Sequence, residues 1–141
     1  MIAIASDHAG FALKEKLKLH FKENNIEFID LGTDSEQSCH YPVFDKKLCK
    51  KIQDGECDKG ILVCGTGIGM SMVANKQKGI RAAACSDYFS AKFTRAHNDA
   101  NVLCLGERVI GSGLACELAD VFLSTPFEGG KHQVRIDMFE D

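Results

Sequence analysis

Short apolar segments alternate with longer amphipathic ones along the whole chain of 141 residues. Five segments are nearly all apolar and are bounded by Gly, Asp or Asn: 1–5, 26–31, 59–63, 79–85 and 100–105. Such segments are typical of strands buried on both faces of a parallel sheet. Helical patterns lie between and after them, at 11–21, 41–53, 69–76, 88–96 and 112–123. This alternation predicts one α/β domain over 1–141, a Rossmann-like, doubly wound, three-layer αβα fold whose five-stranded parallel sheet has the order 2-1-3-4-5.

The composition limits the classes of function. The formal net charge is −3 and there is no basic run, so nucleic acid is not an expected partner. The seven cysteines are odd in number and lack a C-x-x-C pair or zinc-ligand spacing, which predicts free thiols in a reducing compartment and no metal site. The apolar start runs directly into an acidic residue, and no apolar run could span a bilayer. We therefore expect a cytoplasmic protein without a signal peptide or membrane contact.

The most informative motif is a glycine-rich run, CGTGIGMS, at positions 64–71. It follows the third predicted strand and precedes the third predicted helix, which places the thiol of Cys64 beside the unpaired N–H groups of a helix N-terminus. Such positions favour the thiolate form of a cysteine and stabilise a negatively charged oxygen, so the run predicts chemistry as well as binding. The run matches neither G-x-x-x-x-G-K-[ST] nor G-x-G-x-x-G, so we expect no nicotinamide cofactor.

Polar side chains follow the first and third predicted strands. In a doubly wound sheet, ligands bind at the carboxyl ends of the strands that flank the switch point. Asp7 and His8 follow the first of these strands, and Cys64 and Thr66 follow the other. These four side chains should therefore face one cavity and supply a base, an acid and hydrogen-bond donors. Asp7 and Thr66 are explained equally well as helix caps, so both interpretations stand for each of them.

Two further groups of polar residues come later in the chain. His97 and Asn98 follow the fourth predicted helix, where the helix dipole stabilises a histidine cation, so the residues alone slightly favour a structural role. Lys131 and Arg135 are four residues apart and would share one face of a last helix. Together with Arg108 they could hold a phosphate, although a solvated face is the commoner explanation for such a pair.

Taken together, these motifs closely resemble the family of type B ribose-5-phosphate isomerases, which also contains subunits of galactose-6-phosphate isomerase. The resemblance covers essentially the whole chain and rests on these segments: 6–10, 41–42, 64–71, 74–76, 79–83, 97–101, 105–108 and 127–130. It implies an isomerase that interconverts D-ribose 5-phosphate and D-ribulose 5-phosphate through an enediolate. The reaction would belong to the non-oxidative branch of the pentose phosphate pathway and would need no metal or cofactor.

The resemblance also implies a role for each candidate residue. Cys64 matches the family's base, which moves a proton between carbons 2 and 1, and His97 matches the residue that opens the sugar ring. Thr66 and Asp7 would handle hydroxyl protons and orientation. Some members carry a glutamate base at the place of Met70, where methionine cannot serve, and this supports Cys64 as the base. The implied substrate-binding residues are His8, Tyr41, Gly65, Gly67, Gly69, Ser71, Asn98, Arg108, Lys131 and Arg135.

In this family the site is shared across a homodimer, so the resemblance implies that some site residues come from the neighbouring subunit. These are His97, Asn98, Arg108 and Arg135. The C-terminal helix is then expected to cross to the partner, and pairing of dimers into tetramers is left open. The family commonly has arginine at the place of Lys131, and lysine keeps the charge but loses the bidentate fork.

Three other functions share some of these sequence features. A six-carbon sugar phosphate is the second candidate substrate, because sequence does not give the depth of the pocket. A non-catalytic module that binds phosphosugars also stays open, although it has no need for a thiol beside an anion site. A signalling receiver domain shares the predicted layout but needs an aspartate after the third strand and a lysine after the fifth. This chain has Cys64 and Glu107-Arg108 at those places, which excludes a receiver domain.

Overall fold

The computed structural model describes residues 1–140. Within this range, the strands are β1 (Ile2–Ser6), β2 (Phe28–Asp30), β3 (Lys59–Cys64), β4 (Ala82–Ala84) and β5 (Val102–Gly106). The helices are α1 (Phe11–Glu23), α2 (Tyr41–Gln53), α3 (Ile68–Ala74), α4 (Tyr88–Ala96), α5 (Ser112–Ser124) and α6 (Lys131–Ile136). A 3-10 turn, His8–Gly10, joins β1 to α1. Strands and helices alternate as the apolar segments predict.

The sheet is parallel throughout and has the order β2-β1-β3-β5-β4. The predicted fold class is confirmed, but the predicted order 2-1-3-4-5 is corrected at its end, because β5 and not β4 is the neighbour of β3. The reason is burial: all five residues of β5 are buried, whereas the three residues of β4 are partly exposed. The longer strand, with its larger apolar side chains, takes the interior place, and the short strand of three alanines takes the edge.

The predicted switch point between β1 and β3 is present. β1 pairs with β2 on one side and with β3 on the other, and the register places Ser6 opposite Val63. The chain therefore leaves β1 in one direction to form β2 and returns to form β3 on the opposite side. The carboxyl ends of β1 and β3 lie side by side, which is where doubly wound sheets bind their ligands.

Each face of the sheet is covered by helices. The first, which we call the α1/α5 layer, packs α1, α4 and α5 against one face with large buried side chains such as Leu17, Phe21 and Phe122. The second, the α2/α3 layer, packs α2 and α3 against the other face with Leu48 and Met70. Burying a side chain of this size contributes about 1.5–3 kcal/mol, so both layers stabilise the sheet.

A last helix follows two glycines, as the sequence predicts. α6 begins after Gly130, whose φ of +59° lies in the region that favours glycine. Ile136 is the buried residue of this helix, whereas Val134 is exposed. Whether α6 crosses to a partner subunit stays a prediction. Every helix in the described range is too short or too polar to cross a lipid bilayer.

Candidate active site

Cys64 is the last residue of β3, and only 6% of its surface is exposed. The backbone N–H of Gly67 donates a hydrogen bond to the Cys64 sulfur at 3.1 Å. Gly67 has a φ of +80°, and an added Cβ would lie 3.1 Å from the backbone of Cys104, so this position requires glycine. The run from Cys64 to Ser71, which we call the Cys64 loop, therefore folds back on the thiol and supplies it with a donor that stabilises negative charge.

Hydroxyl groups of the Cys64 loop bond within the loop itself. The Thr66 hydroxyl accepts a hydrogen bond from the backbone N–H of Ile68 at 3.2 Å, at the start of α3. The Ser71 hydroxyl donates to the carbonyl of Ile68 at 2.6 Å. The helix-cap interpretation of Thr66 is wrong, because the N-cap residue of α3 is Gly67 and no side chain caps it. The Thr66 hydroxyl instead closes a local turn before the helix, and its side chain stays exposed beside the sulfur-bearing end of β3.

Asp7 lies at the neighbouring end of β1. Its backbone N–H donates to the carbonyl of Val63 at 3.2 Å, which fixes Asp7 next to the end of β3. Its carboxylate accepts a hydrogen bond from the N–H of Gly10 at 3.0 Å, so it caps the 3-10 turn while it remains largely buried. A Cβ on Gly10 would lie 2.3 Å from the Val63 oxygen, which means that only glycine allows this close approach.

Two further candidates are His8, in the 3-10 turn that follows β1, and Tyr41, the first residue of α2. The backbone N–H of Cys39 donates to His8 Nδ1 at 3.3 Å. A neutral histidine that accepts at Nδ1 carries its proton on Nε2, so His8 can donate from that atom. Tyr41 packs against Gly69, where an added Cβ would lie 3.1 Å from the phenol oxygen. The structure thus brings His8 and Tyr41 to the elements that carry the Cys64 loop.

Arg108 follows β5 and lies against the Cys64 loop of its own chain. An added Cβ on Gly65 would lie 3.5 Å from Arg108 Nη1, and the Arg108 N–H donates to the Gly65 carbonyl at 3.0 Å. The N–H of Glu107 donates to the Cys64 carbonyl at 2.9 Å, and its carboxylate accepts from the N–H of Leu13 at 2.7 Å. Arg108, which the resemblance places on the neighbouring subunit, therefore already stands beside the loop within one chain.

A second group of polar side chains lies at the end of α4. The His97 and His132 rings stack with their centres 4.2 Å apart, and the Nε2 atom of each lies 3.6 Å from Glu128 Oε1. We call these three residues the histidine cluster. Burial lowers the pKa of His132, with smaller contributions from the adjacent His97 ring and from Lys131 and Arg135. His97 was a candidate from its sequence motif, whereas Glu128 and His132 were not, although these two residues stand four positions apart.

The remaining candidates lie on the same segments as the histidine cluster and not on the Cys64 loop. Asn98 follows His97 directly, and Lys131 and Arg135 lie on α6 with exposed side chains. Within residues 1–140, no hydrogen bond or ion pair joins any of these side chains to the Cys64 loop. A single chain thus presents two separate groups of site residues.

A buried carboxyl lies in the α2/α3 layer. Asp45 and Cys49 are both fully buried on α2, and the Cys49 thiol donates to Asp45 Oδ1 at 3.5 Å. The second carboxyl oxygen of Asp45 has no partner in the described part of the chain. Burial raises the pKa of Asp45 to about 7, and burial together with this carboxyl raises the pKa of Cys49 to about 12. Sequence patterns missed the pair because Asp45 occupies an ordinary helical position.

Residues 2–139 match the Ribose/Galactose Isomerase family, and the chain belongs to that family. It is 46% identical to ribose-5-phosphate isomerase B of Escherichia coli, over 96% of this chain and 91% of that protein. It is similar to the crystal structure of a ribose 5-phosphate isomerase from Thermotoga maritima, with a TM-score of 0.96 and 52% identity over 98% of this chain and 95% of that one. A Mycoplasma genitalium ribose-5-phosphate isomerase B with bound ribulose-5-phosphate has a TM-score of 0.91 and 41% identity, over 96% of this chain and 91% of that one.

Proposed function

We propose that this chain interconverts D-ribose 5-phosphate and D-ribulose 5-phosphate, with Cys64 as the base. The names of its relatives support the substrate, including the one with bound ribulose-5-phosphate. The observation that carries the proposal is the Cys64 thiol at the end of β3 with the Gly67 N–H directed at its sulfur. We further propose that the reaction takes place in the cytoplasm, in the non-oxidative branch of the pentose phosphate pathway.

The proton transfer follows from the position of the thiol. In the open-chain aldose, the Cys64 thiolate removes the proton from carbon 2, and the released electron pair forms a double bond between carbons 1 and 2. The former carbonyl oxygen then carries the negative charge of the enediolate. The Cys64 thiol returns its proton to carbon 1, while the hydroxyl proton on oxygen 2 passes to oxygen 1. The product is the ketose, and no atom is gained or lost.

The charge on the enediolate needs fixed hydrogen-bond donors. The backbone N–H groups between Gly65 and Gly69 lie at the start of α3, where the helix dipole favours negative charge. The Thr66 hydroxyl is exposed beside them, and the Asp7 carboxylate lies at the adjoining end of β1. These two side chains are the candidates for moving the hydroxyl proton between the two oxygens.

The phosphate and the closed sugar ring need groups from both parts of the molecule. His8 and Arg108 stand near the Cys64 loop and would bind the phosphate, and Tyr41 and Asn98 would contact the sugar. His97 would open the furanose ring, with Lys131 and Arg135 adding phosphate contacts. Because one chain keeps His97 apart from Cys64, the proposal includes a homodimer in which each site combines the Cys64 loop of one subunit with the α4–α6 region of its partner.

A coupled assay without added metal tests the proposed reaction on ribose 5-phosphate, with allose and galactose 6-phosphates as second substrates. Cys64→Ala is expected to lower kcat by about 10²–10⁴-fold, the usual contribution of a general base, while calorimetry still detects sugar phosphate binding. The matched control is Cys116→Ala, which removes a partly exposed thiol on α5 and is expected to leave kcat unchanged.

Each other outcome of this assay would contradict a different part of the proposal: the substrate, the base or the presence of catalysis. Activity on a hexose phosphate alone would keep the base and change the substrate. Full activity in Cys64→Ala would exclude the cysteine mechanism. Binding of ribose 5-phosphate without turnover in the unmodified protein would favour a non-catalytic phosphosugar-binding module.

A further inference from the structure

The histidine cluster offers three metal-ligand side chains in one place. Its ligand atoms are two histidine nitrogens and one carboxylate oxygen, and all lie within 4.8 Å of one another. Zinc bonds of about 2.0–2.2 Å in a tetrahedral site hold neighbouring ligand atoms roughly 3.3–3.6 Å apart. Both nitrogens of the cluster already lie 3.6 Å from Glu128 Oε1. The two rings are stacked with their planes only 10° apart, so one imidazole must turn out of the stack before both nitrogens and the carboxylate oxygen can bind the same ion.

The backbone holds this arrangement in position. His97 caps the end of α4, and His132 lies in the first turn of α6. The N–H of Glu128 donates to the carbonyl of Ala96 at 3.0 Å, which ties the segment before α6 to the end of α4. The three ligands thus come from two elements joined by a main-chain hydrogen bond, so binding an ion does not require the chain to rearrange.

The cluster is also open to solvent on one side. The side chains of His97 and Glu128 are 40% and 55% exposed, whereas that of His132 is 14% exposed. An ion can enter from the exposed side, and water can complete a fourth coordination position. Two imidazoles and one carboxylate with an open position suit Zn²⁺ and similar divalent transition metals, and they suit Mg²⁺ or Ca²⁺ poorly because those ions prefer oxygen.

We propose that His97, Glu128 and His132 bind Zn²⁺, and that the bound ion inhibits isomerisation. Binding depends only on the three side chains. The inhibition rests on the proposed function, because an ion on the His97 ring would block the nitrogen that is to open the sugar. The site would be regulatory, and the isomerase reaction itself would proceed without metal.

Calorimetric titration of the full-length protein with Zn²⁺ tests the binding, and Co²⁺ absorption identifies the ligands. We expect saturable binding with a micromolar dissociation constant. We expect a visible Co²⁺ spectrum without the intense near-ultraviolet band that thiolate ligation produces. Glu128→Gln and His132→Gln should each weaken Zn²⁺ binding by at least about tenfold, since each loses one of three ligands. The matched control is His20→Gln, which removes an imidazole that pairs with Asp120 at 2.8 Å on another part of the surface.

Three results would overturn the site: no saturable binding, equal affinity in the two cluster variants and the control, or a thiolate band from the cysteines. Inhibition is measured separately, as the Zn²⁺ concentration that halves the rate of each variant relative to its own zinc-free rate. This half-inhibitory Zn²⁺ concentration should rise at least about tenfold in Glu128→Gln and stay unchanged in His20→Gln. If the protein has no isomerase activity, the proposed function fails while the binding measurement still decides the metal site.

Discussion

The two helical layers that cover the sheet differ in what they bury. The α1/α5 layer buries large hydrocarbon side chains, including Phe21, Leu118 and Phe122. The α2/α3 layer buries smaller side chains, the thiols of Cys49, Cys64 and Cys104, and the carboxyl of Asp45. The α1/α5 layer also buries two charges, Lys14 and Arg95, but each is paired with a carboxylate at 2.7 Å. The Asp45 carboxyl of the α2/α3 layer has no cation paired with it in the described residues, so the α2/α3 layer, beside the Cys64 loop, carries the polar group that burial disfavours most.

This difference indicates a division of roles between the faces. The α1/α5 layer supplies stability through area removed from water, and the side chains that it buries against the sheet include none of the proposed site residues. The α2/α3 layer contributes less to stability where it borders the Cys64 loop. Substitutions in the two layers should therefore separate stability from activity.

The largest expected effect is in the apolar layer. Phe21→Ala removes a fully buried ring from α1 and should lower the free energy of unfolding by about 3–5 kcal/mol. The activity of the folded fraction should stay near that of the unmodified protein, because the ring packs on Phe28 at the start of β2, whereas Cys64 lies at the opposite end of the parallel strands. Urea denaturation and the coupled assay measure the two quantities. A parallel loss of kcat would contradict the division of roles.

The buried carboxyl of the α2/α3 layer should make stability depend on pH. Below about pH 4 the Asp45 carboxyl is protonated in both folded and unfolded chains and contributes nothing to the pH dependence. Between about pH 4 and 7 the unfolded chain ionises first, since burial raises the folded pKa to about 7. Stability is therefore lost as pH rises through this window, by up to ~4 kcal/mol at ~1.4 kcal/mol per pH unit, and the loss is constant above it.

Asp45→Asn should remove this dependence. At pH 8.5 the variant should be more stable than the unmodified protein by a few kcal/mol, up to that same limit of about 4, and near pH 4 the two should agree. The control, Asp54→Asn, changes an exposed carboxyl at the end of the same helix and should stay within about 0.5 kcal/mol at both pH values. Equal pH profiles for Asp45→Asn and the unmodified protein would show that Asp45 is solvated or paired.

The smallest expected change in stability lies in the loop itself. Gly67→Ala forces an alanine to a φ of +80° and brings its Cβ against the Cys104 backbone, so we expect a loss of about 1–2 kcal/mol. It should also displace the N–H that bonds the Cys64 sulfur and lower kcat. Gly79→Ala has nearly the same φ, +76°, but open space around its Cβ. It should lose about 1 kcal/mol and keep full activity, and equal activity losses in both would argue against the sulfur contact.

Much of this architecture could be predicted from the sequence because buried parallel strands leave a strong signal. The five apolar segments gave the parallel sheet, and the glycine run located the thiol at the end of β3. The order of the last two strands could not be predicted from apolar content alone. It depends on how completely each strand is buried, and the segment that contains Arg81 is the one at the edge.

The candidate site was predictable in part. Cys64, Thr66 and Asp7 follow strands, and strand ends in one sheet must meet, so their proximity follows from topology. The histidine cluster does not follow from such a rule, because Glu128 and His132 meet His97 only through the path of the chain between α5 and α6. Asp45 carried no signal at all, since a carboxyl at a helical position is ordinarily exposed and its burial depends on packing.

The hydrogen bonds around Glu107 have a consequence for how fast and how tightly an anion can associate. The main chain beside Arg108 is tied to the Cys64 loop by the N–H groups of both residues, and the Glu107 carboxylate ties it to the start of α1. Under the proposed function, an arriving phosphate would meet a cation whose backbone is already preorganised. Only the side-chain rotamers remain to be ordered when the anion binds. The conformational entropy of the backbone, which a flexible loop would lose on binding, is here already lost on folding, so binding costs less entropy.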